Sequence, residues 1–357
     1  MSGAPANPGR SGGLVGAEES WAVEEVRAMA SSMARSVVTR RGLQLALALL
    51  WLIAAGLQYQ PYMFGTGFRT DVIGGAGAGQ PGWVAAGPSF AEHLLAHAPV
   101  LLNALFATLQ LALGLGLLWR RTVRVALIGS VVWGLAVWYL GEGLGGVASG
   151  HADLLTGTPG AAVLYAVVAV MAWPRATPDG VGEAPPPWSR AAWAAVWVLG
   201  GVLRALPGQN TPAELAAEVR GNTDGAPGWL ASADTRMAGW VHDGGTTLVV
   251  CLIVGSALIG LLALAGGRIA QVAVSVGTLL AVAYWVFGQS LGELYTGQST
   301  DVNTAPVIVL LGAGVFGSSA QRYASARRTS RALPGSQGTP HLRGVRPEGT
   351  CGPSAPS

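Results

Sequence analysis

The segment with the clearest chemical potential is Trp138-Tyr139-Leu140-Gly141-Glu142-Gly143-Leu144-Gly145-Gly146. It closes a long apolar block with one carboxylate set among glycines. A carboxylate at the edge of a bilayer is costly unless it is paired or hydrated, which makes Glu142 the leading candidate for a catalytic, proton-handling group. Gly141, Gly143 and Gly145 let the backbone approach a ligand closely and are binding candidates beside it. A similar run, Trp285-Val286-Phe287-Gly288-Gln289-Ser290-Leu291-Gly292, places Gln289 where the first has Glu142, with Glu293 four residues on. Gln289 and Glu293 are therefore further ligand-binding candidates, as are His151 and Asp153, two residues apart in a loop; a solvated loop is the plain alternative for the last two. His93 and His97 stand at i, i+4, with Glu92 alongside, so on a helix they share a face and are weak candidates for a metal. Their counterparts in the second half are Trp240 and Gly244, so the pair is not part of a shared framework.

The elements that must position these residues read as membrane spans. The chain of 357 residues is 51% hydrophobic and 11% charged, against roughly 25% charged for a soluble domain. The apolar residues gather in blocks at 43–60, 98–118, 123–141, 158–173, 189–206, 246–265, 269–288 and 303–318. A span needs about 20 apolar residues. The second, third, sixth and seventh blocks reach this easily; the first, fourth, fifth and eighth are short and need tilt or the shelter of neighbours. All 21 basic residues are Arg, and with the N-terminus inside, 17 fall on the cytoplasmic side and 4 on the other. That bias predicts a multi-pass protein of the cell membrane with both termini cytoplasmic. The same positions, next to apolar blocks, point to the lipid bilayer rather than to nucleic acid as the partner. In this orientation 11 of the 18 acids and 4 of the 5 histidines collect outside, so a site is expected at the outer face.

The two halves match at an offset of 146 to 147 residues. Pro81-Gly82-Trp83 meets Pro227-Gly228-Trp229, Trp138 meets Trp285, Pro159 meets Pro306, Asp153 nearly meets Asp301, and Gln58 meets Arg204. Apolar composition alone does not align Trp, Gly and Pro in order. The fold class expected is therefore all-α: about eight transmembrane helices, arranged as two like-oriented four-helix bundles. The expected organisation is a disordered to amphipathic segment over 1–38, a first membrane unit over 39–174, a Pro-rich cytoplasmic linker over 175–188, a second unit over 189–318 and a disordered basic tail over 319–357. Long connections at 61–97 and 207–245 fall outside. The tryptophans near block ends suggest an aromatic belt, and Arg204 a snorkelling side chain.

Other chemistries lack their residues. No phosphate loop, dinucleotide fingerprint, zinc motif or calcium loop occurs, and Cys251 and Cys351 form no CxxC pair.

Gly141-Glu142-Gly143-Leu144-Gly145-Gly146, then Thr158-Pro159-Gly160-Ala161-Ala162 with Leu164-Tyr165, closing at Trp173-Pro174, resemble the DoxX-like membrane proteins. The resemblance covers 43–174 well and 189–318 more weakly. It implies a four-helix bundle per unit. Some members are linked to quinone or thiol redox complexes, so it implies a quinone as the cofactor class and a membrane or extracytoplasmic redox partner. Two other readings stay open on the sequence: a small-solute transporter or permease, and a non-enzymatic membrane scaffold.

Overall fold

The computed structural model describes residues 39–175, 184–221 and 225–317. The expected N-terminal segment and basic tail, and most of the expected linker, lie outside the described residues. All regular structure that is described is helical, and no strand occurs within it. The main helices are α1 (Arg40–Gln58), α2 (Gly82–His97), α3 (Pro99–Leu118), α4 (Val123–Leu140), α5 (Ala161–Met171), α6 (Ser189–Arg204), α7 (Pro212–Gly221), α8 (Gly228–Ala265), α9 (Gly267–Phe287) and α10 (Thr304–Gly317).

Five of these, α1, α3, α4, α8 and α9, are long and apolar enough to cross a membrane. Helix α1 gains its length from Arg40 and Arg41, which a reading of apolar residues alone leaves out. Both arginines have local work to do. Arg40 donates to the carbonyls of Met171 and Trp173 past the end of α5, and Arg41 donates to Leu117 O at 2.9 Å at the end of α3. Each cation thus satisfies carbonyls left over at a helix C-terminus and meets the negative end of its dipole. Thr39 caps α1 itself, its hydroxyl accepting from Gly42 N at 3.0 Å.

Helix α5 has 11 residues, about 16 Å at 1.5 Å per residue, roughly half a hydrocarbon core. It is surrounded instead: Leu164, Tyr165, Val168, Ala169 and Met171 are all buried. Helix α10 is likewise short and buried through Val307, Ile308, Leu311 and Val315. One continuous core joins both halves of the chain, with Leu43, Leu47, Trp51 and Tyr165 packed in the same cluster as Trp193, Trp197, Ile308 and Leu311. Trp51, Trp193 and Trp197 therefore belong to the interior and not to an interfacial belt. The outward surface is apolar as well, with Val125, Val132, Val272 and Leu279 each more than 60% exposed. A face of that character suits lipid, not water.

The two long connections are folded. The first holds short helical turns at Pro61–Phe64 and Phe68–Gly74 before α2, and Met63, Phe68, Ile73 and Leu95 form a small core of their own. The break between α2 and α3 falls at Ala98, whose extended φ of −151° is what a residue before proline adopts. The second holds α7 and the first turns of α8. Helix α8 is bent at Gly245, whose φ of 58° and ψ of −159° only glycine takes readily; the apolar run begins at the next residue.

Candidate functional site

The site grows out of the end of α4. The N–H groups of Gly141 and Glu142 both donate to Val137 O, at 2.7 and 2.9 Å, which stops the helix. The chain then reverses through Leu144 and Gly145, both left-handed with φ near 60°. Gly145 lies so close to the next helix entry that a Cβ there would stand 1.9 Å from Pro159 O. That carbonyl accepts from Trp138 Nε1 at 2.7 Å. The reversal delivers the Glu142 carboxylate to the start of α5, where Oε1 accepts from Ala162 N at 3.0 Å. The first amides of a helix point outward unsatisfied and the dipole there is positive, so an anion is well placed. Glu142 Oε2 is buried and has no partner.

A corner of the same geometry follows α9. Gly288 and Gln289 donate to Tyr284 O, Leu291 and Gly292 are left-handed with φ of 55° and 68°, and Trp285 Nε1 donates to Val302 O at 2.9 Å. Gln289 Oε1 accepts from Ala305 N at 3.0 Å, as Glu142 does from Ala162. The two corners are 147 residues apart, but the helix starts they contact are 143 apart. The second loop is shorter by four, so Pro159 corresponds to Val302 here and not to Pro306.

Glu142 stands between two spaces. On one side is a cavity of about 200 Å³ lined mainly by apolar and aromatic side chains of α1, α2, α4 and the Phe68–Gly74 turn. Two aromatic pairs edge it: Trp51 with Tyr165, centroids 4.7 Å apart, and Phe106 with Trp133, 5.2 Å apart. On the other is a polar vestibule of about 460 Å³, lined by Ser, Thr, Asn and Gly with His151 and Glu293. Glu142 and Asp301 line both. Asp301 comes from the loop before α10; its Oδ1 accepts from Asn303 N at 2.6 Å and its Oδ2 from the Thr300 hydroxyl at 3.4 Å. Burial drives the Glu142 carboxyl well above the usual carboxylate range; the nearby Asp301 charge raises it further, against the Ala162 and Ala161 amides. Burial raises Asp301 too. Two carboxyls beside one another in a low-dielectric place hold a proton between them.

Four polar atoms facing this cavity are buried without a hydrogen-bond partner: Glu142 Oε2, Gln110 Oε1, Trp133 Nε1 and the Tyr165 hydroxyl. Other buried atoms without a partner, at Trp193, Trp197 and Asp234 among others, are scattered through the interior; these four share one cavity and are open to a ligand's own polar groups there. Two of the four can donate and three can accept.

The residues expected from the sequence divide. Glu142 and Gly141 line the cavity, and His151, Gly145 and Glu293 the vestibule. Gly143 and Gly145 make close approaches to protein backbone, at Ala76 O and Pro159 O. Gln289 serves its own corner, on neither space. Asp153 turns away from His151 into a buried cluster, where its Oδ1 is 2.8 Å from Arg204. Arg204 also pairs with Glu218 of α7 and donates to Gln209 O at 2.9 Å, so it is a buried clamp and does not snorkel. Burial raises Asp153, and raises Glu218 to about 7. His93 and His97 stack edge to face with centroids 4.9 Å apart, His97 Nδ1 lies 2.8 Å from His93 O, and Glu92 pairs with Arg69 at 3.0 Å. Among the described residues no group of three potential ligands is placed to hold a metal. Asp301, Gln110 and Trp133 are the site residues that the motifs do not single out, and Tyr165 enters only as part of the Leu164-Tyr165 pair in the resemblance. An alignment of the halves names Asp301, but nothing local marks the other three as polar groups that end unpaired. Comparison with protein-family models, with curated proteins and with solved structures finds no match to this chain.

Proposed function

We propose that this chain is a redox-associated membrane component of the DoxX-like type that binds a quinone in the cavity beside Glu142. The observation that carries the reading is the set of four unpartnered polar atoms around an aromatic cavity with a proton-holding carboxyl pair at its end. A quinone is a flat apolar ring with two carbonyl acceptors, which Trp133 Nε1 and the Tyr165 hydroxyl can serve. Its reduced form carries two hydroxyl donors, which Gln110 Oε1 and Glu142 Oε2 can serve. The cavity's α2 wall includes Phe90 and Leu94, both exposed, so an isoprenoid tail has an apolar way out. In this reading the chain binds the ring and handles the proton, and a partner protein supplies or takes the electrons.

The proposal extends to topology. Eight membrane-embedded helices in two like-oriented sets of four, both termini cytoplasmic and the vestibule facing outward, are supported by the two matching corners, by the pairing of α1 with α3 and of α6 with α8, and by the arginine bias. Titration of the purified protein in nanodiscs with decylubiquinone, read by quenching of tryptophan fluorescence, is expected to saturate. Tyr165→Phe and Glu142→Gln are each expected to weaken binding about tenfold, the ~1.4 kcal/mol of one hydrogen bond to a buried group. Absence of saturable quenching, or unchanged affinity in both variants, overturns the reading.

A further inference from the structure

We infer that the same cavity takes a lipophilic organic cation in exchange for one proton, which leaves the Glu142–Asp301 pair through the polar vestibule. Two carboxyls end on the cavity, one contributed from each half of the chain, and among the described residues no arginine lines either the cavity or the vestibule. The chain has no lysine at all. Asp153, by contrast, is neutralised inside the protein by Arg204, 2.8 Å away. Here both oxygens of Asp301 have donors, but among the described residues neither carboxyl is paired with a cation, and Glu142 Oε2 makes no hydrogen bond within normal geometry. An ionised carboxylate in such a place needs a positive counterpart.

The walls state what kind. Trp51, Phe106, Trp133 and Tyr165 line the cavity, and aromatic faces attract weakly hydrated cations. A small, strongly hydrated ion gains little there, whereas a cation with its charge spread under apolar groups matches both the rings and the acid pair. Tyr165 is 2% exposed with an unpartnered hydroxyl aimed at the site, which marks the space as made for a ligand.

The exchange balances. The protonated pair carries one proton; as a monovalent cation enters, that proton departs to the vestibule and the charge of the cavity is unchanged. The groups facing the pair are Tyr165 from α5, and His151 and Glu293 across the vestibule. Tyr165 brings a phenol, a neutral group over the pH range of the test. His151 and Glu293 are exposed and screened. This inference rests on the cavity being a binding site but not on quinone as its ligand. The two ligands carry opposite signs of pH dependence: a cation favours the ionised pair, a carbonyl the protonated one.

The test uses the full chain in detergent with tetraphenylphosphonium as the probe, by equilibrium dialysis from pH 5.5 to 8.5. Affinity is expected to rise with pH by up to tenfold per unit, the slope of one proton released per cation, and a pH-indicator dye is expected to record that proton in weakly buffered solution. Glu142→Gln and Asp301→Asn, checked for monodispersity, are expected to lose at least tenfold, and Glu214→Gln on α7 to lose nothing. Binding that ignores pH, or releases no proton from the unaltered protein, overturns the exchange without recourse to a variant. Failure of the cation with retained decylubiquinone binding removes this inference alone; failure of both removes the cavity as a ligand site.

Discussion

Replacing Arg204 with glutamine tests whether the second buried charge cluster holds the two halves together. The side chains of Arg204, Asp153 and Glu218 are 5%, 4% and 10% exposed. Arg204 is their shared cation and also donates to Gln209 O, while Gln209 Nε2 donates to Gly150 O at 2.9 Å. Loss of the guanidinium leaves two buried carboxyls facing each other, and breaking a buried pair in this way costs about 3–5 kcal/mol. The acids can escape by taking up protons, at about 1.4 kcal/mol for each pH unit above their pKa. The full cost is therefore expected at pH 8 and about half of it at pH 5.5. At ~1–2 °C per kcal/mol for a chain of 357 residues, the midpoint should fall by roughly 5 °C at pH 8. Thermal unfolding in mild detergent, followed by tryptophan emission at one fixed scan rate because membrane proteins often unfold irreversibly, reads this through buried Trp193 and Trp197. Asp153→Asn added to Arg204→Gln is expected to recover half of the loss or more, since the two share one interaction. A fall under 3 °C at pH 8, or a fall of the same size at pH 5.5, would refute the reasoning.

Three further outcomes follow from the same geometry. Because the Glu142 carboxyl is raised in the folded state, the folded protein holds more protons than the unfolded chain between the ordinary carboxylate range and its raised value; stability must fall as pH rises through that window. Unfolding midpoints are expected to drop from pH 5 toward pH 8, and Glu142→Gln to flatten the slope. Gly145→Ala meets Pro159 O at 1.9 Å with φ at 61° and is expected to cost more than ~2 kcal/mol, whereas Gly56→Ala in α1, with nothing within 4 Å, should gain ~0.5–1 kcal/mol; thermal scans of the pair decide. Gln58→Arg puts a guanidinium at the cavity wall within reach of Asp301, and is expected to abolish tetraphenylphosphonium binding while the protein remains folded by size exclusion.

Much of the helical framework is legible in the sequence because membrane spans are long runs of one character. The boundaries that fail do so for identifiable reasons. The start of α1 is hidden because Arg40 and Arg41 read as flanks, although they cap other helices. Helices α5 and α10, whose short blocks call for the shelter of neighbours, end sooner than their blocks because hydropathy registers apolar loop residues and helix alike. At the site, Glu142 stands out since a lone carboxylate beside an apolar run is costly wherever it goes. Asp301 is visible only through comparison of the halves, and even then its pairing with Asp153 misleads: both accept from the amide two residues on, but one faces Glu142 and the other Arg204. Tyr165 looks like any core aromatic, and only the position of its hydroxyl over a cavity separates it from Trp197, whose ring fills its place.

On the proposed repeat, the difference between the halves has a physical logic. Where α1 carries Gln58, α6 carries Arg204; where the first corner carries Glu142, the second carries Gln289. The 143-residue register of the last helices sets Ile308 against Tyr165. Each change in the second half removes an unpaired titratable group or supplies its counter-ion, and the space beside Arg204 is about 10 Å³ against about 200 Å³ beside Glu142. A buried acid can be kept either by closing a salt bridge over it or by leaving room for something exchangeable. The chain does the first at Asp153, which fixes the loop carrying His151, and the second at Asp301, which that loop helps enclose. On the proposed binding role, the closed copy is the wall against which the open copy binds and releases, and Arg204→Gln is expected to weaken tetraphenylphosphonium binding in equilibrium dialysis although Arg204 lies outside the cavity; unchanged affinity would separate the two copies.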